Sequence, residues 1–225
     1  MLAQSRVFIE YHDVKDQLSA LNLTSDLLTE PVKKGQAARN NATENDPSNA
    51  AGTMAFFATV RASRELLIPL GWEKREIRNL SLISNPKTSV SIVVATGDNN
   101  VGIKEVIPKT KNPKGKQAEL YISTNCDIFS DDIFSNDDFT DQSIDTSEFQ
   151  TWVLMYYLDV KENQIRLELS LPTDQNIRGQ INSWKERVIL DPILLDGIPP
   201  LNFNSPSPDF NNLQDFDVPV KRRQK

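Results

Sequence analysis

Five lysines, Lys104, Lys109, Lys111, Lys114 and Lys116, fall within thirteen residues and are opposed only by Glu105. Pro108, Pro113 and Gly115 interrupt the stretch, so it forms no regular helix. The sequence predicts ammonium groups fanned out on a flexible basic loop over residues 97–117. Such point charges can contact phosphates without reading a base sequence. No aromatic residue is interleaved to stack on bases, and lysine-rich loops also occur as plain solvated surface. Arg61 and Arg64 lie together on one face of a predicted helix, with Glu65 four residues after Arg61. That pattern fits either a salt-bridged surface or a contact to phosphate or to an acidic partner.

The opposite charge gathers in residues 127–149. There Asp127, Asp131, Asp132, Asp137, Asp138, Asp141, Asp145 and Glu148 alternate with Ile128, Phe129, Ile133, Phe134, Phe139, Ile144 and Phe149. Acidic residues interleaved with aromatics dock on basic or apolar partner grooves, with Phe129, Asp131, Asp132, Phe134, Asp137, Asp138 and Phe139 at the centre of this one. The same ingredients could imitate DNA phosphates, or belong to a surface loop anchored by its apolar side chains. The spacing does not match a calcium-binding helix–loop–helix motif.

Two further arrangements bear on phosphate chemistry. Gly97 and Gly102 follow the apolar run Ser91–Thr96 at the spacing of a phosphate-binding loop, but Ile103 precedes Lys104 and Glu105 replaces the required hydroxyl. The expectation here is a Gly-Asp-Asn turn leaving a strand. Asp159-Val160-Lys161 ends another apolar run, and a D/E-x-K tripeptide at a strand end resembles the core of the PD-(D/E)xK nuclease family. That resemblance implies a magnesium site on Asp159 and one of Asp137, Asp138, Asp141 or Asp145, with Lys161 orienting water. The resemblance covers only these few residues, and Lys161 also reads as a turn residue. No serine-nucleophile elbow is present, and nothing in the sequence brings His12 to Cys126.

Composition narrows the field. The 225 residues carry a net charge of −6 and 38% hydrophobic residues, which argues against a basic footprint over the whole protein and for polar appendages around one core. One cysteine and one histidine exclude an intrachain disulfide and most structural zinc sites, and they fit a reducing cytoplasmic setting. No apolar run approaches the length of a membrane span, and the first residues lack the pattern of a secretory signal. Apart from that short resemblance, no motif asks for a cofactor or a metal.

The elements that must position these residues are an α+β set. Val7, Tyr11, Val14, Leu18 and Leu21 form an apolar stripe, continued by Leu27 and Leu28, that predicts a helix over 5–29 stopped near Pro31. Residues 33–52 read as a mobile connector, and Thr53 as the cap of a second helix over 53–71. Strands are expected within 80–96, 118–124, 151–160 and 164–171, with a turn at Asn85–Thr88 and a hairpin turn at Lys161–Asn163. The first arm of that hairpin is apolar on both faces. The second alternates, with Ile165, Leu167, Leu169 and Leu171 inward and Arg166, Glu168 and Ser170 toward solvent. Residues 177–191 fit a short helix or a returning strand.

The expected architecture is therefore one domain over 1–196, a mainly antiparallel sheet covered by two N-terminal helices, followed by a disordered tail over 197–225. The expected function is a non-enzymatic intracellular binding or accessory subunit. It would engage a protein or nucleic-acid partner through the lysine loop and the acidic-aromatic segment. A metal-dependent nuclease and an acidic mimic of nucleic acid are the alternatives.

Overall fold

A computed structural model of the chain describes residues 5–77, 80–112, 149–176 and 179–195. Lys114, Lys116, Cys126, the expected strand at 118–124, nearly all of the acidic-aromatic segment and the C-terminal tail lie outside these residues.

Seven strands form one mixed sheet: β1 (Arg6–Phe8), β2 (Glu73–Ile77), β3 (Leu80–Asn85), β4 (Val90–Thr96), β5 (Gln150–Asp159), β6 (Gln164–Gln175) and β7 (Ile181–Leu194). Their spatial order is β1-β7-β6-β5-β4-β3-β2. Two antiparallel meanders, β2-β3-β4 and β5-β6-β7, meet through a parallel pairing of β4 with β5, and β1 pairs parallel to the edge of β7. The sheet is thus mixed where a mainly antiparallel one was expected. Strand direction at the β4–β5 seam depends on the long crossover between them, and hydrophobic periodicity carries no information on that.

Among the described residues three α-helices, α1 (Tyr11–Ala20), α2 (Ser25–Arg39) and α3 (Ala50–Leu67), stand where two helices were expected. The first predicted helix is split. Asn22 adopts a left-handed φ of 58°, and Leu23 and Asn22 donate to the Leu18 and Ser19 carbonyls, a Schellman stop. Thr24 then caps α2 by accepting from the Leu27 amide. Pro31 does not stop α2 but sits buried inside it, so the helix runs on to Arg39, through the first seven of the twenty residues that composition marks as connector. Val7 belongs to β1, and α3 starts at Ala50 with Asn49, not Thr53, at its cap.

The helices cover one face of the sheet. Val14, Leu18, Leu28, Val32 and Leu67 pack there with Trp152, Leu154, Leu167, Leu169 and Val188 in the principal core. A smaller core of Ala95, Val101, Val153, Met155, Ile181 and Trp184 forms on the opposite face. Val101 comes from the stretch after β4, so residues 97–112 form a second layer. As expected, β5 is buried on both faces and the β5–β6 hairpin turns at Val160–Asn163, with Asn163 at a φ of 49°. The outward face of β6 is not solvated: Glu168 and Ser170 are fully buried beneath the second layer.

Candidate anion-binding surface

The basic loop is built on this second layer, and buried polar groups hold its backbone. Glu168 accepts from four donors: the Gly102 amide, the Ser170 hydroxyl, and Arg187 through both Nε and Nη2. Arg187 also donates to the carbonyls of Val106 (2.8 Å) and Ile103 (3.0 Å). Arg166 bonds the Val101 and Asn99 carbonyls, and the Trp184 indole donates to Pro108 O. A buried charge is tolerated only when it is paired and its remaining hydrogen-bonding capacity is used, and both conditions hold here.

The last part of the loop continues the sheet pattern. Asp98 N donates to Lys109 O and Lys111 N to Thr96 O, forming a short antiparallel bridge at Gly97 and Thr110. Thr110 is fully buried, and its hydroxyl accepts from the Ile181 amide. Alternation therefore directs Lys109 and Lys111 together to the opposite side, about 7 Å apart along the strand, where both are exposed. Lys104 is also exposed. The expected flexible fan of ammonium groups is, over the described residues, a set of side chains on a tethered backbone.

Lys111 borders a cleft of about 870 Å³. Its walls are Arg39 at the end of α2, the α2–α3 connection, the first turn of α3, Phe56, Thr96 and Asn112. Arg39 is half-buried and, among the described residues, neither it nor Lys111 has an ion-pair partner. Near the cleft wall at Thr96, the Tyr156 phenol lies beside the side chains of Thr96 and Thr59. Burial pushes the Tyr156 phenol above its ordinary pKa, against the opposing influence of these hydroxyls and of the positive charge of Arg39. Phe56 also lines a second, more apolar cleft of about 550 Å³ with Phe57, Val60, Arg61, Arg64 and Lys74. The Phe57 ring is 60% exposed and lies 5.9 Å from that of Phe56.

The two arginines of α3 divide. Arg64 pairs with Glu76 on β2 at 2.7 Å and also reaches the Leu82 carbonyl. Burial pushes the Glu76 carboxyl up, but its hydrogen bonds with Arg64 and Ser81 hold it below the ordinary value. Glu65 faces Lys34 of α2 and not Arg61. Arg61 is exposed and has no hydrogen-bond or ion-pair partner among the described residues.

Asp159 and Lys161 sit at the tip of the β5–β6 hairpin. Asp159 forms an ion pair with Arg166 (3.1 Å) and accepts from the Glu162 amide, while Lys161 is an exposed turn residue. Among the described residues, no group of three or more His, Cys, Asp or Glu side chains comes together to hold a metal ion. Phe149 alone represents the acidic-aromatic segment, its ring 4.9 Å from the Arg75 guanidinium. Sequence pattern alone marks neither Arg39 nor Phe56 as a cleft residue. Arg39 fell within the supposed connector, although Leu28, Val32 and Gly35 already carried a helical spacing past Pro31.

No helix among the described residues is long and apolar enough to cross a membrane. Comparison with protein-family models, with curated proteins and with solved structures finds no match to this chain.

Proposed function

We propose that this chain is a non-catalytic binding or accessory protein that holds single-stranded nucleic acid on the surface formed by Lys104, Lys109 and Lys111. The supporting observation is the fixed backbone beneath these lysines. Thr110 is locked into the sheet, so Lys109 and Lys111 are held side by side on the solvent side, and less entropy is lost on binding than from a free loop. Phe56 and Phe57 supply on a neighbouring helix the aromatic surface that the loop itself lacks.

The net charge of −6 does not oppose this reading, because acidity is concentrated in one stretch. Residues 113–148 contain nine of the 31 acidic and two of the 25 basic residues, leaving 23 basic against 22 acidic elsewhere. A protein partner would engage the acidic-aromatic residues 127–149, a part of the proposal that rests on sequence alone. The nucleic-acid part is tested by fluorescence anisotropy with a labelled single-stranded oligonucleotide. Replacing Lys104, Lys109 and Lys111 with Ala removes most of the binding if the proposal holds, and unchanged binding refutes it.

A further inference from the structure

We infer that the cleft between Arg39, Lys111 and Phe56 is a nucleotide site, taking one phosphate monoester together with its base. This rests on the proposed nucleic-acid surface, since Lys111 belongs to both, and it names the chemical group the cleft selects. Its volume of about 870 Å³ falls within the range of small-ligand pockets. Two cations border it from different elements, Arg39 from α2 and Lys111 from the tethered loop, and among the described residues neither is neutralised. A half-buried, unpaired guanidinium is suited to a phosphate, whose oxygens match its planar fork. Asn112 adds a neutral donor, the Thr53 hydroxyl, whose proton goes to the Asn49 carbonyl, adds only acceptor capacity, and the Phe56 ring offers a face for a base.

Two carboxylates also border the cleft and limit the charge it accepts. Asp46 is committed to the Thr43 amide and hydroxyl (2.8 and 3.0 Å), whereas Glu44 is exposed at the rim. Arg39 and Lys111 together match the charge of one phosphate monoester, and with Glu44 and Asp46 also on the lining there is no surplus cation for a second phosphate. The site therefore suits a mononucleotide or the phosphorylated end of a strand.

Isothermal titration calorimetry with AMP, adenosine and inorganic phosphate tests the inference on the full chain, with circular dichroism confirming that each variant is folded. AMP is expected to bind about tenfold or more tighter than either adenosine or phosphate. The Arg39→Gln variant is expected to lose about tenfold in AMP affinity, the order of one hydrogen bond to a charged group. Glu44→Gln strengthens AMP binding. A 5′-phosphorylated oligonucleotide that outcompetes its unphosphorylated form identifies the strand end as the source, and equal competition identifies the free nucleotide. Absence of AMP binding, parity with adenosine or phosphate, or full affinity in folded Arg39→Gln overturns the inference. The Lys104→Ala/Lys109→Ala variant separates the two proposals: it leaves AMP affinity intact while weakening the oligonucleotide if both hold. Unchanged oligonucleotide binding there, beside normal AMP binding, refutes the surface and leaves the cleft.

Discussion

Arg187 and Glu168 form a 2.7 Å ion pair between neighbouring strands, with side chains only 2% and 0% exposed, and the same arginine anchors two carbonyls of the lysine-bearing loop. The pair therefore links sheet stability to loop position. Removing one partner of such a pair leaves an uncompensated buried charge, which costs about 3–5 kcal/mol. Urea denaturation of Glu168→Gln should show a loss of that order, with faster hydrogen exchange at the Gly102 amide. A double replacement, Glu168→Leu with Arg187→Met, should cost less than either single change, because no unpaired charge remains.

A second prediction concerns how closely α2 and α3 approach. Gly35 has no side chain where α3 passes, and a Cβ built there would fall on Thr59 Oγ1 and 2.9 Å from the Ala55 carbonyl. Alanine in a helix interior normally gains about 1 kcal/mol over glycine. Here overpacking, costing about 1–3 kcal/mol, opposes that gain. Gly35→Ala should lower the thermal midpoint. Because the Thr59 side chain also neighbours the Tyr156 phenol, the same variant should disturb the tyrosine near the cleft.

Tyr156 gives the pH dependence its sign. Its folded-state pKa is raised above the ordinary 10.0, chiefly by burial. The folded state therefore holds the proton longer than the unfolded chain does. Its contribution to stability is complete below the unfolded-state pKa, and is lost as pH rises from there through the folded value. Alkaline denaturation should begin near that lower limit, and Tyr156→Phe should shift its onset to higher pH.

Local pattern made much of this fold legible. The double-sided burial of Trp152–Tyr156, the β5–β6 hairpin and the β3–β4 turn follow from apolar alternation and turn residues. The helix boundaries followed less well. A proline within a helix and an asparagine in the left-handed region are each conditional signals, and here their usual order was reversed: Asn22 ended a helix while Pro31 did not. The polar face of β6 was misassigned to solvent, since alternation shows that two faces differ but not what covers the second. Glu168 and Arg187 are nineteen residues apart in the chain and bond a loop amide and two loop carbonyls, respectively, more than sixty residues away, so no local spacing reveals them. Lys104, Lys109 and Lys111 were visible as a charge cluster, whereas their common tether through Thr110 and Arg187 emerged only in three dimensions.

The surface itself is tested most directly by the salt dependence of oligonucleotide binding. Neutralising each phosphate of a single strand contributes about −0.7 to the slope of log K against log salt. Replacing Lys104, Lys109 and Lys111 with Ala should therefore reduce the magnitude of that slope by about 2, as well as weakening binding. The same affinity and the same slope in the folded triple variant would contradict the account.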